Sequence, residues 1–356
     1  MSAGHLASMG AKKWLLFGVK LALTVACLGW ALSDVDWQQS ALLDPLALGW
    51  AWVVPGLILA GATVWLSALR LWLLLRAQGI GLSLWQATEL TLIGNLFNLV
   101  TVGGIGGDAV RIFMLIRDYP DRKVAISLTV MFDHLVGMVA MALVFFTFTA
   151  GRFDALTSQS IETVGILRFA WGFFLGGMIL IGLMFFMSFP PIHNRVHKHR
   201  QHSRFAFLNK VPVAFDMFRQ KWPQVVMALA VSFAMLPVYY ASFWCGTKMV
   251  GSDAELGPVL VAMPVVDLLS ALPISVAGLG VREVSMKILM HDLTGMAASV
   301  AVAAMMIGFF FSLLWALLGA GLFLRSGERV SMEKIEAAVE DDADVVEWDE
   351  SAPQDE

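Results

Sequence analysis

The sequence is short of charge. Only 15% of its 356 residues are Asp, Glu, Lys or Arg, against about 25% in an average soluble domain. It has just two cysteines, Cys27 and Cys245. Both stand alone within apolar runs, so neither a disulfide framework nor a paired-cysteine metal or redox motif is present. A cysteine in such a run serves as a small core residue. There is no G-x-x-x-x-G-K-[ST] phosphate loop, which excludes nucleotide hydrolysis of that type. Nothing in the sequence points to nucleic acid or to a cofactor.

What the sequence has in excess is apolar surface. Hydrophobic residues make up 58% of the chain, and the mean hydropathy is +0.74. A soluble domain averages about 45–50% apolar. Folded as a water-soluble ball, this composition would expose apolar area that it has no means to hide. A soluble enzyme and a disordered chain are both excluded. The net charge of -4 conceals a division. Residues 327–356 hold twelve Asp/Glu and two Lys/Arg, a net of -10, so the remainder carries +6.

Six apolar segments approach the roughly 20 residues that cross a hydrocarbon core: 14–32, 46–69, 124–150, 164–189, 223–247 and 296–323. The first follows Lys12 and Lys13 like a signal peptide, but it runs on to Leu32 with no small-residue cleavage site. It reads as an uncleaved first span. Two further apolar stretches, 84–118 and 257–290, are broken in the middle by glycines and charges. Such backbone at membrane depth must be buried in protein or line a wet cavity. Each stretch is therefore expected to form a re-entrant helical hairpin.

Lys/Arg placement orients the segments. The loop at 33–45 has Asp34, Asp36 and Asp44 and no Lys/Arg. Arg70 and Arg76 follow the second span, and Arg111, Arg117, Arg122 and Lys123 follow the first broken stretch. The 190–222 loop holds seven Lys/Arg and one Asp, and Arg325 and Arg329 follow the last span. These charges predict an all-α integral membrane protein with six spans, both termini cytoplasmic, and hairpins entering from opposite faces. Residues 1–13 form the cytoplasmic N-terminus, 14–325 the membrane domain, and 326–356 an acidic, solvated cytoplasmic tail. Four histidines between His193 and His202 lie in the basic 190–222 loop, which reads as a cytoplasmic surface beside anionic lipid rather than a metal site. Trp14, Trp50, Trp52, Trp85 and Trp222 fall near span ends, as interfacial anchors do.

An internal repeat follows. Gly104-Ile105-Gly106 and Gly278-Leu279-Gly280 are 174 residues apart. Shifted by about that offset, the halves 14–150 and 164–323 each comprise three spans and one hairpin. An odd number of spans orients the halves oppositely, the inverted-repeat plan of many transporters, with sites at the midplane on broken helices.

The chemistry concentrates at the hairpin tips. With Gly106 and Gly107 before Asp108, a helix is expected to begin at Ala109, its N-terminus favouring an anion. Arg111 lies one turn on, and Arg282 and Glu283 open the helix after Gly278 and Gly280. These four charged residues are expected to converge at the midplane, where ionisable groups are functional candidates. Local roles are open as well: Asp108 as an N-cap, Arg111 at the cytoplasmic interface, Glu283 paired with Lys287, and Arg282 neutralising Glu283. On the hairpin arms, Asn98 and Asp267 are weaker substrate-site candidates, beside Asn95 and Glu89. Asp133 and His134, inside the third span, are candidates for a proton relay or for a buried hydrogen-bonded pair.

The stretches Gly103-Gly104-Ile105-Gly106-Gly107-Asp108-Ala109-Val110-Arg111 and Pro273-Ile274-Ser275-Val276-Ala277-Gly278-Leu279-Gly280-Val281-Arg282-Glu283 resemble the two signatures of the lysylphosphatidylglycerol synthase transmembrane-region family, over about residues 12–325. The resemblance implies a flippase-like domain of the bacterial inner (plasma) membrane that moves a lipid, usually phosphate-bearing, between leaflets. It marks Asp108, Arg111, Arg282 and Glu283 as family-defining positions. In the third span the family carries an acidic residue and then a basic one, and Asp133-His134 has histidine where arginine is common. No synthase part follows Leu324, so synthesis of an aminoacyl lipid is not implied.

The expected function is lipid translocation rather than enzymatic chemistry. Arg111, Arg282 and the helix N-termini would hold the headgroup phosphate, with transport passive or driven by an ion gradient through Asp133 and His134. The partners are membrane lipids, and a second copy or the enzyme that makes the lipid. Two alternatives stand beside it: a membrane-embedded transferase using Asp34 and Asp36 as a metal-holding acid pair, and a non-catalytic membrane scaffold.

Overall fold

The computed structural model describes residues 48–100, 106–152, 159–187, 218–272 and 278–325, together with Gly29. The expectations for the first span, for Asp34 and Asp36, for Gly104, for the histidine-rich loop and for the acidic tail lie outside these residues.

Among the described residues there are nine α-helices and no strand. They are α1 (Val53–Ala77), α2 (Leu84–Val100), α3 (Gly106–Asp118), α4 (Lys123–Thr149), α5 (Ile161–Met187), α6 (Trp222–Met249), α7 (Leu256–Ala271), α8 (Val281–Thr294) and α9 (Ala298–Arg325). Five helical stretches are long and apolar enough to cross a membrane: Trp50–Ala77, Pro120–Thr149, Ile161–Phe186, Trp222–Met249 and Ala298–Arg325. The other four helices form two consecutive pairs, α2–α3 and α7–α8, whose members pack on each other.

Local sequence sets several helix ends. Ser83 and Gln86 form a reciprocal cap at the start of α2: the Gln86 side chain accepts from the Ser83 N–H at 2.7 Å, and Ser83 Oγ accepts from the Gln86 N–H at 3.2 Å. At α8 the preceding Gly280 has φ 83°, a left-handed conformation that only glycine adopts without strain. Pro237 and Pro264 lie inside α6 and α7, where each removes a backbone donor.

The second span is longer than its apolar run suggests. Residues 46–69 were expected to end it, with Arg70 as a cytoplasmic flank, whereas α1 continues to Ala77 and buries Arg70 at 8% exposure. The physical reason is the apolar turn beyond it, where Leu71, Leu73, Leu74 and Leu75 are all buried. The helix continues for as long as its apolar face does.

The centre of the bundle is the α1–α6 pair, the most extensive helix contact in the fold. The two run antiparallel, and the Gly49 N–H donates to the Met249 carbonyl at 2.8 Å at their shared end. Around them, α9 packs on α1, α2, α6 and α8, and α4 packs on α1, α3, α6 and α7. Small residues allow the closest approaches. Gly246 of α6 faces the Ala304 carbonyl of α9, and Gly319 of α9 faces the Leu92 carbonyl of α2. Such contacts drive helix association where lipid offers no hydrophobic gain. α5 packs at the periphery, leaving Phe169, Phe173, Leu175, Ile179, Leu180, Leu183 and Phe186 exposed as an apolar face suited to lipid.

Candidate functional site

The first helical pair builds a compact polar core. The Asn98 side-chain oxygen on α2 accepts from the Gly107 N–H at 2.8 Å, so a residue of one helix caps the first turn of the next. Gly107 has no room for a side chain: a Cβ there would strike the Gly94 carbonyl and the Asn98 amide. Gly94 is constrained in the same way, because its Cβ would meet the Arg111 guanidinium. The two helices thus pack through two glycines around one arginine.

Arg111 is 6% exposed. One terminal nitrogen pairs with Asp108 Oδ1 at 3.1 Å. The other donates to Asn95 Oδ1 at 3.2 Å and toward the Thr91 carbonyl at 3.5 Å. Its Nε is buried without a hydrogen-bond partner. The second oxygen of Asp108 faces His134 Nδ1 of α4 at 2.9 Å. Asp108 is therefore not an N-cap, and the expectation that the helix starts at Ala109 is corrected. α3 begins at Gly106, because Asn98 supplies the cap from outside and frees the aspartate for ion pairing.

Next to His134, Asp133 turns to a different partner. Arg70 of α1 grips both its oxygens, with Nε to Oδ1 at 2.6 Å and Nη2 to Oδ2 at 2.7 Å. Arg70 Nη1 reaches Ser232 Oγ of α6 at 3.3 Å. This bidentate pair binds α1, α4 and α6 together, and Asp133 is 2% exposed. Asp133 is buried and hydrogen-bonded, whereas the His134 side chain is 60% exposed, so the two adjacent residues do not form a buried pair.

The second pair of helices is wired internally. Glu283 Oε2 accepts from the Gly280 N–H at 2.7 Å, and Oε1 pairs with Arg282 Nε at 2.8 Å. Glu283 is therefore both the cap of α8 and the counter-ion of Arg282. The Arg282 guanidinium also lies 3.8 Å from the ring centroid of Phe309 on α9, a cation–π contact. Gly278, with φ 73°, packs against Ser270 of α7. Asp267, also on α7, lies beside the Tyr240 hydroxyl and within electrostatic reach of Arg282.

Among the described residues no ion pair joins Asp108 or Arg111 to Arg282 or Glu283. Asp108 pairs with Arg111 and Arg282 with Glu283, each within its own pair of helices, and convergence of the four is not a direct contact. No group of three or more His, Cys, Asp or Glu among the described residues is arranged to hold a metal ion. Sequence reasoning missed Arg70, Ser232, Tyr240, Phe309 and Gly94 as parts of these clusters. For Arg70 a signal existed: Ala68 and Leu69 precede it and Leu71 follows, the same embedding in an apolar run that singled out Asp133.

The long apolar helices around buried ion pairs define a multi-pass helical membrane protein. The family model described as the lysylphosphatidylglycerol synthase TM region matches residues 17–321, and the chain belongs to that family. No curated protein and no solved structure gives a significant match.

Proposed function

We propose that the protein is a translocase that moves a phosphate-bearing lipid between the leaflets of the bacterial inner membrane. The observation that carries this reading is the Arg111 cluster. A buried guanidinium is held by Asp108, Asn95 and one carbonyl, with its Nε unpaired. A headgroup phosphate is a bidentate partner for that fork. It can replace Asp108, which then keeps His134.

Helix lengths support re-entrant hairpins. α2 and α7, of 17 and 16 residues, reach about 25 Å, and α3 and α8, of 13 and 14, about 20 Å. None covers the roughly 30 Å of a hydrocarbon core. Depth is consistent too: Asp133 sits about ten residues, roughly 15 Å, into α4. Phe309, under Arg282, lies about as far into α9.

The inverted repeat is supported by the pattern of contacts. Exchanging α1 with α6, α2 with α7, α3 with α8 and α4 with α9 turns each contact among these eight helices into another that is present. The exchange also carries one site into the other. Asp108 and Arg282 are 174 residues apart, and the groups they touch, His134 and Phe309, are 175 apart. In each half the first turn after the break presses a charged side chain onto the following long helix.

With the amino terminus in the cytoplasm, the first hairpin opens inward and the second outward. A headgroup then passes between arginines whose resting counter-ions are already in place. What the protein removes is the cost of dragging an ionised phosphate through hydrocarbon. The acyl chains stay in lipid.

The test uses the full-length protein in phosphatidylglycerol-containing vesicles with a trace of fluorescent phosphatidylglycerol and an external membrane-impermeant reductant. The protein should speed loss of the inner-leaflet signal. Arg111→Gln should slow that phase about tenfold or more, since a charge-assisted hydrogen bond is worth about 1.5–3 kcal/mol. Full speed in both Arg111→Gln and Arg282→Gln, with the proteins folded, sinks the reading.

A further inference from the structure

Four acids belong to the polar clusters of the two helical pairs: Asp108, Asp133, Asp267 and Glu283. Three are neutralised in place. Asp133 has both oxygens on Arg70, Asp108 divides its oxygens between Arg111 and His134, and Glu283 holds Arg282 and the Gly280 N–H.

Asp267 differs. Among the described residues it enters no ion pair. Its neighbours along α7 are buried and apolar, including Met263, Val265, Val266 and Leu268. It is itself half-buried, neither sealed nor at the surface. The Tyr240 hydroxyl faces it from α6. That side chain is fully buried. Ser270, one turn further along α7, has a buried hydroxyl without a hydrogen-bond partner. The charged and titratable groups facing Asp267 are Tyr239 and Tyr240 from α6 and Arg282 from α8. α4 and α5 also pack on α7 and bring no charged group to it.

This arrangement suits a proton and not a metal ion. One carboxylate and two hydroxyls beside a guanidinium are too few oxygen ligands for a cation, and the guanidinium repels it. A proton needs one oxygen. We propose that Asp267 is the proton site through which a transmembrane proton gradient drives lipid movement, in place of Asp133 and His134. The proposal rests on the translocase reading above.

The step balances simply. A carboxylate oxygen of Asp267 takes a proton from hydronium on the acidic side, forming an O–H bond and leaving water. On the opposite side the O–H bond breaks and water accepts the proton. Charge couples this to the lipid. The Asp267 carboxylate attracts Arg282, and protonation removes that attraction and favours phosphate on the guanidinium. Proton and lipid then travel in the same direction, with the charges of a proton and a singly ionised phosphate cancelling.

Two measurements on the full-length protein in vesicles test this. Dicyclohexylcarbodiimide reacts with protonated carboxyl groups in membranes, and peptide mass spectrometry locates the adduct. Asp267 should be labelled several-fold more than Asp108, Asp133 or Glu283, and more at pH 6 than at pH 8. Labelling that spares Asp267 overturns the proposal without any variant having to fold. In the second measurement, fluorescent phosphatidylglycerol should accumulate in the leaflet on the alkaline side of an imposed pH gradient, and a protonophore should abolish the asymmetry. Asp267→Asn should lose the asymmetry and Asp267→Glu should regain it. Lipid exchange that ignores the gradient, or an Asp267→Asn protein as responsive as the wild type, overturns the proton site and leaves the translocase reading standing. No accelerated exchange in any protein-containing vesicle overturns both.

Discussion

Replacing Arg70 by methionine strands Asp133. The side chains of the pair are 10% and 3% exposed, and both carboxylate oxygens are engaged at 2.6 and 2.7 Å. Methionine fills most of the arginine's volume, so the principal change is the loss of the counter-ion. Removing one partner of a buried pair typically costs about 3–5 kcal/mol, because the remaining charge is left without solvent or partner. Losing the weaker contact to Ser232 at 3.3 Å adds to that. Substituting both, as Arg70→Met with Asp133→Leu, removes the stranded charge and should recover most of the loss, since apolar replacements of buried pairs are often neutral. The assay is a double-mutant cycle on purified protein in mixed micelles, followed by denaturant unfolding of helix content. The expected coupling is about 2 kcal/mol or more, well above the 0.5 kcal/mol within which independent sites add. Simple additivity of the two single substitutions would refute the claim that this pair ties α1, α4 and α6 together.

Two other outcomes can be checked. Gly107→Ala should destabilise the protein by about 1–3 kcal/mol, because the added methyl group meets the Gly94 carbonyl and the Asn98 amide; Gly81→Ala, with open space around it, should have little effect in the same unfolding assay. In a background without the native cysteines, Gly81→Cys between α1 and α2 and Asp253→Cys between α6 and α7 should react with an impermeant maleimide from opposite sides of sealed vesicles; labelling from one side alone is incompatible with oppositely oriented halves.

Much of the architecture is legible in the sequence, for a reason particular to lipid. A helix satisfies its own backbone hydrogen bonds, so an apolar run of sufficient length is a complete instruction. That is why 124–150, 164–189, 223–247 and 296–323 fall on α4, α5, α6 and α9 with ends off by a few residues. The glycine-broken stretches likewise fall on the short pairs α2–α3 and α7–α8. The failures have a common origin. Arg70 ended the expected second span because a charge ends an apolar run when its partner, 63 residues away, is out of view. Ala109 was the expected start of α3 because the cap belongs to Asn98, nine residues back on another helix.

The charged residues follow the same division. Composition and position selected Asp108, Arg111, Asp133, Arg282 and Glu283 as costly groups in an apolar setting, because the free energy of burying a charge depends on its surroundings in bulk. The partners were another matter. An ion pair depends on a few ångströms between atoms that the chain brings together from far apart. Only the packing of α1, α4 and α6 assigns Arg70 to Asp133 and leaves His134 for Asp108. Only the packing of α7 against α6 and α8 leaves Asp267 outside the ion pairs among the described residues, with Arg282 nearby. Composition and local position mark a membrane chain and most of the charges it buries, Arg70 excepted; packing assigns their partners, because pairing is a matter of distance and not of composition.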